Sequence, residues 1–389
     1  MRLVHLSCCG SQGLLQRSVF VVLLVLLSTS LVSSASSLEF TGSLNVAQLG
    51  PQTVLVPQGN LVLKHSGAYV PTAEFYDIGR GTWFETMPMA LGRLNPGVVV
   101  LQDGVNVFVA GGSWGYDALL HTNTTEIYNS QTQQWMNGPS MELERAYNTA
   151  VLTQNGDVLI FGTYGSTSVV ELFRPFYDPN STDLIGGTFV TLKNQVPLPL
   201  GGTSPAFVVK ALEAVMIVCN LNDLQPTFIS LRDPKNAWNA WLGSPMSVSR
   251  QMCAAAALDD NRIFVSGGGS NPSGGGGGSD ESAEIYNVLT GMWTIVARMP
   301  IGLITHQAFV FPEQNIVGLF LGYYMTCSDG YCSSQDNLKI YLYDASADEW
   351  TVSEQVLPYY FSGGIQLDSH RVLLMSDYVS YSLCMVFTL

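Results

Sequence analysis

Arg93, Arg145 and Arg250 each stand a few residues ahead of a short apolar segment. Three guanidinium groups at comparable positions suit bidentate capture of a carboxylate. They equally suit an inward use, in which each bonds backbone carbonyls at a chain junction. Tyr147 follows Arg145 by two residues, and His306 opens another apolar segment. Beyond residue 35 the only histidines are His65, His121, His306 and His370, and none adjoins another strong ligand. Asp368-Ser369-His370 contains the residue types of a catalytic triad. Adjacent residues on a hairpin point different ways, so the string reads as a turn. No His-Glu-x-x-His helix occurs. Glu142 and Glu144 have no visible partner for the paired-carboxylate chemistry of a glycosidase.

Binding chemistry is better represented. Three long segments lie between strand-like runs: Gly112–Thr124 with Trp114, Tyr116 and His121; Gly267–Ser282 with a run of glycines; and Tyr323–Asp336 with Tyr323, Tyr324 and Tyr331. Aromatic rings on variable loops stack on sugars or grip peptide side chains. The five glycines Gly274–Gly278 lack the Lys-Ser/Thr of a phosphate loop and read as a flexible tip. The expected binding set is Arg93, Trp114, Tyr116, Arg145, Tyr147, Arg250, His306 and Tyr323, with no metal and no cofactor.

Composition limits the partners. The chain is 47% apolar and 12% charged, which excludes disorder. Residues 1–35 combine Arg2 and Arg17 with the apolar run Val19–Leu27 and small residues at Ser33 and Ala35. That pattern reads as a secretory signal peptide, with an uncleaved membrane anchor as the alternative. Without it, 14 basic residues face 30 acidic ones, a charge of −16. Such a surface repels phosphate backbones, so nucleic acid is an unexpected partner. Asn123-Thr124-Thr125 and Asn180-Ser181-Thr182 are glycosylation sequons in loop-like segments. Cys327 and Cys332 bracket a turn-forming Ser-Asp-Gly-Tyr, which predicts a loop disulfide there, two free thiols being the alternative. Cys384 lies in an apolar strand and reads as a buried thiol.

The elements that must position these groups repeat. Tyr76 and Trp83, Tyr128 and Trp135, Tyr286 and Trp293, and Tyr343 and Trp350 share one seven-residue spacing. Glu74, Glu126 and Glu284 each precede the tyrosine by two. Leu231 with Trp238 reads as a degenerate copy, and Glu171 with Phe173 as one that has lost its tryptophan. Gly111-Gly112 and Gly267-Gly268 close apolar strands upstream, with Gly162 and Gly322 in matching places. The period is about 50 residues. Diglycine, tyrosine and tryptophan in this order resemble the kelch repeat over nearly all of residues 36–389.

The resemblance implies an all-β, seven-bladed kelch-type β-propeller. Sheets apolar on both faces stay dry only when stacked radially. Strand counting from Thr53 onward fills six blades and leaves the seventh with three strands. The spare segment Leu38–Ala47 is expected to close it as the outer strand, a six-bladed ring with a free C-terminal hairpin being the alternative. The propeller is also similar to that of the galactose and glyoxal oxidases, which are copper-radical enzymes. On that resemblance Tyr147 and His306 match family ligands, whereas Asn95 stands for the cross-linking cysteine and Thr305 for the axial tyrosine. The second histidine of the family's copper site belongs to a further C-terminal domain, while this sequence ends at the propeller. The expected function is therefore a secreted or cell-surface module binding a protein or glycan, with a membrane partner only if the leader is retained. A degenerate or altered copper-radical oxidase is the alternative.

Overall fold

A computed structural model describes residues 36–44, 52–65, 71–114, 120–162, 169–181, 183–192, 204–220, 224–231, 239–269, 279–328, 331–376 and 383–389. The proposed signal segment, Tyr116 and the five-glycine run lie outside them.

The chain folds into seven four-stranded antiparallel sheets arranged as the blades of a propeller. Among the described residues helix is confined to two single 3₁₀ turns, Pro57–Gly59 and Lys210–Leu212, and no described helix is long and apolar enough to cross a membrane. Blade 1 runs Gln52–Val56, Leu61–His65, Ala73–Asp77 and Thr82–Glu85, from the axis outwards. Blade 2 follows with Gly97–Val100, Asn106–Ala110, Thr125–Asn129 and Gln134–Asn137. The innermost strands of blades 3 to 7 begin at Thr149, Ala206, Ala254, Gln307 and Gly363. In blade 7 the fourth strand is Ser37–Thr41, which lies antiparallel along Cys384–Thr388.

The second strand of each fully described blade is buried on both sides, as Asn106–Ala110, Val158–Phe161 and Ala214–Ile217 show. A strand apolar on both faces must be covered twice. The neighbouring blades do this. Seven apolar clusters occur among the described residues, one at each junction. Val56, Leu63 and Phe75 of blade 1 meet Val107, Val109 and Tyr128 of blade 2. Val62, Tyr76 and Trp83 of blade 1 meet Leu373, Met375 and Cys384 of blade 7, which closes the ring.

The repeated aromatics hold the outer strands together. Each Tyr–Trp pair is a directly opposed cross-strand pair, with ring centroids 4.9–5.2 Å apart. The indole N–H then reaches back to the preceding blade: Trp135 donates to the Met87 carbonyl, Trp293 to Ser244 and Trp350 to Ala297. Blade 4 corrects the sequence expectation. Its opposed pair is Phe228 and Trp241, stacked at 5.2 Å, not Leu231 and Trp238. In blade 3, Phe173 opposes Phe189 in the tryptophan's place.

Antiparallel order sorts the loops. Connections between second and third strands share one face, here called the mouth, with the linkers between blades. The third-to-fourth connections lie on the opposite face.

Candidate functional site

The mouth is built from one recurring linker that leads into an innermost strand. Its first fixed residue is the arginine. Arg93 bonds Glu126 and the Gly111 carbonyl (2.9 and 2.7 Å), and Arg145 bonds Glu171 and the Gly162 carbonyl (2.9 and 3.0 Å). Arg250 bonds Glu284 and the Gly267 carbonyl (3.0 and 2.9 Å). Each carboxylate also accepts a linker N–H, from Ala90, Glu142 and Ser247 respectively. All three arginine side chains are at most 1% exposed. Burial pulls the Arg93 and Arg145 guanidiniums below their ordinary range, and the adjoining Glu126 and Glu171 push them back. The structure thus corrects the expectation that these arginines face a ligand. Their charge is matched inside the blade, because a buried guanidinium without a counter-charge is prohibitively costly.

The diglycines explain why the linker can pass so close. A Cβ on Gly111 would stand 2.6 Å from the Arg145 carbonyl, and one on Gly267 would stand 2.5 Å from that of Leu303. Both also have positive φ.

Two residues beyond the arginine position the backbone turns left-handed on a side chain that is not glycine. Asn95, Tyr147, Met252 and Thr305 have φ of 50°, 57°, 54° and 55°. Adjacent linkers are tied at this point: Tyr147 N–H donates to the Asn95 carbonyl and Thr305 N–H to that of Met252 (2.8 and 2.9 Å). Such conformations cost about 1–3 kcal/mol each and concentrate at functional sites; Thr305, being β-branched, is the most strained. Met252 is 60% exposed and Tyr147 is half-buried.

The next residue turns inward and locks against the preceding blade. Asn148 donates to the Ala110 carbonyl (3.2 Å). Cys253 forms a disulfide with Cys219 of blade 4. His306 places Nε2 2.9 Å from the Ser266 hydroxyl, while its Nδ1 has no hydrogen-bond partner. Burial, and then the charge of Arg250, bring the His306 pKa down to about 3, so the ring is neutral at physiological pH.

A cleft of about 430 Å³ opens at the mouth beside the innermost strands of blades 4 to 7. Pro205, Met252, Thr305, Gln307, Phe309 and Gly364 are among its walls. None of its lining side chains is a carboxylate, lysine or arginine. The Gln307 Oε1 is buried without a hydrogen-bond partner. Met252 and Gln307 were not singled out from the sequence. Their positions relative to Arg250 and to the innermost strand of blade 6 were the available signal.

The remaining expected residues surround this cleft unevenly. Trp114, 37% exposed, lies on the mouth loop of blade 2, whose Ser113 bridges Leu94 just before Asn95. Tyr323 roots the Tyr323–Asp336 hairpin by the same kind of bridge, to Ile304. Cys327 and Cys332 are directly opposed on that hairpin, and their side chains lie outside the described residues. Cys384 is buried and unbridged. Asn123 is half-buried and Asn180 is exposed. No three His, Cys, Asp or Glu side chains converge among the described residues.

The sequence matches the kelch motif over residues 93–142 and 252–300, which span blades 2 and 5. No curated protein matches the chain. Among solved structures it is similar to a fungal alcohol oxidase of the AA5 family in complex with copper, at 15% identity and a TM-score of 0.68. That alignment covers 91% of this chain and 76% of the oxidase. It is also similar to YjhT, at 12% identity and a TM-score of 0.52, covering 80% of this chain and 98% of that one. At these identities the likeness is one of fold.

Copper in the first of these structures raises the question of fit. Copper(II) takes a tetragonal set of nitrogen and oxygen ligands. Here the mouth offers Tyr147, His121 on the blade 2 loop and His306, which come from different blades, and His306 spends Nε2 on Ser266 inside the junction of blades 5 and 6. The described residues do not fit the ion.

Proposed function

We propose that this chain is an extracellular binding module that takes a protein or glycan ligand at the mouth of the propeller. The observation that carries the proposal is the uncharged cleft. Its polar groups, Thr305, Gln307 and the neutral ring of His306, sit among apolar walls, and exposed Met252 stands at its edge. A few convergent polar groups in an apolar concavity is the usual build of a binding site. The strained left-handed residues point to the same place. The Cys219–Cys253 disulfide, which joins two blades, supports folding in an oxidising compartment.

The absence of charge in the lining selects the ligand group that enters. A carboxylate or ammonium would shed its hydration and meet no counter-charge. The group that fits is neutral. Trp114 adds an exposed ring farther out on the same face for stacking or apolar contact.

The test is a glycan array and a proximity-labelling experiment on the secreted protein, each repeated with Met252→Asp and Trp114→Ala. Loss of one shared ligand in both variants is the expected result. Full retention in both sinks the placement. Retention of Tyr147 and His306 also favours an altered oxidase as a second reading, and stoichiometric copper uptake with alcohol oxidation would replace the first reading with the second.

A further inference from the structure

We propose that Asn180 carries an N-linked oligosaccharide and that Asn123 stays bare, so that the sugar marks the face opposite the mouth. The inference rests on the extracellular reading above. It concerns which sequon the fold allows.

At Asn123 the acceptor nitrogen is part of the fold. Its Nδ2 donates to the Met141 carbonyl (3.0 Å), while the Met141 N–H donates to the Asn123 carbonyl (2.8 Å). The sequon's own hydroxyl is used as well: Thr125 is 1% exposed and its Oγ1 donates to the Pro139 carbonyl (2.8 Å). Gly138 N–H closes the clamp on the Thr125 carbonyl (2.9 Å). The sequon therefore holds the end of blade 2 to the linker that carries Arg145. A sugar on Nδ2 would be pressed against residues 139–141, and it would stand on the mouth face. Transfer precedes folding, and although a modified Nδ2 keeps one N–H, its sugar would have to fit against residues 139–141 before this turn could close.

At Asn180 no described hydrogen bond holds the acceptor carboxamide. The residue is exposed at the tip of the hairpin formed by Val170–Tyr177 and Leu184–Leu192. The turn closes on other atoms: Asp178 Oδ1 accepts the Asn180 N–H, the Asp178 carbonyl accepts the Ser181 N–H, and Asp178 N–H reaches the Asp183 carbonyl. None of these bonds uses the Asn180 carboxamide. This tip is a third-to-fourth connection, away from the mouth. Below it stand Phe176, 43% exposed, and Ile185, 63% exposed. Sugar C–H faces pack well on such apolar surface. A glycan rooted at Asn180 covers the pair and leaves the cleft open.

The experiment is expression of the full chain in a eukaryotic secretory host. Enzymatic removal of N-glycans in ¹⁸O-water is followed by peptide mapping. The expected result is a mass tag on Asn180 and none on Asn123. A second arm compares Asn180→Gln with the parent, and greater dye binding and self-association are expected of the variant. A folded, secreted protein tagged at Asn123, or untagged at Asn180, overturns the assignment and leaves the extracellular reading standing. A chain held in the cytosol with both asparagines bare and with free Cys219 and Cys253 overturns both.

Discussion

Replacing Arg145 by methionine removes a cation and leaves its anion behind. Glu171 is 0% exposed at the side chain and would keep one partner, the Glu142 N–H. The carbonyls of Gly162 and Val169 would each lose a donor. Breaking a buried pair from one side costs about 3–5 kcal/mol. Orphaned carbonyls add to this, at about 1 kcal/mol each. Arg145→Met should therefore lose at least about 3 kcal/mol in urea-induced unfolding followed by tryptophan fluorescence. Adding Glu171→Met removes the stranded charge. The double variant should regain about 2 kcal/mol over the single one, without full recovery, because the carbonyls of Gly162 and Val169 still lack the guanidinium donors. Arg80→Ala serves as the control. Its pair with Asp77 is mostly exposed, so no measurable change is expected. A stable Arg145→Met protein that has lost only its ligand would refute the structural role and return the arginine to the binding site.

Three further outcomes follow from other parts of the ring. His306 titrates near 3 when folded against 6.5 unfolded, so the unfolded chain takes up the proton first. Stability from this group is complete above about pH 6.5 and falls as pH drops towards 3, by about 4 kcal/mol at pH 3.5; His306→Asn should flatten that slope in denaturation titrations. The Cys219–Cys253 bridge spans 34 residues. Cys253→Ser should lower stability by about 3.8 kcal/mol, and reduction of the parent should do the same in calorimetry, no change in either being contrary. Deleting residues 36–44 strips the outer strand from Cys384–Thr388 and exposes a paired edge. Size-exclusion chromatography should then show oligomers, and a monomer with the parent melting temperature would argue that Ser37–Thr41 contributes nothing.

Spacing in the sequence revealed the blades wherever the last two strands are joined by a tight turn. A four-residue connection fixes cross-strand register, so Tyr128 and Trp135 must face each other. Blade 4 escaped that logic because a longer connection separates Phe228 from Trp241. The common position of Arg93, Arg145 and Arg250 was equally visible. Their direction was not, because Glu126, Glu171 and Glu284 come from the third strand and meet them only after the blade has formed. Proximity along the chain drew attention to Cys327 and Cys332. The disulfide among the described residues joins different blades, and its partners acquire proximity only when the ring closes. The cleft was the least legible feature. It arises where small residues of four innermost strands leave space, and no single segment encodes that space.

The disulfide has a geometric consequence. Innermost strands approach closely at six of the seven junctions, and those of blades 4 and 5 stand farther apart. Hydrophobic contact alone tends to draw every spoke of such a wheel inward until its hub is plugged. A covalent clasp between Cys219 and Cys253 ties this joint near the hub, where the innermost strands themselves touch least. Oxidised and reduced molecules would then differ in aperture, and so in what they admit.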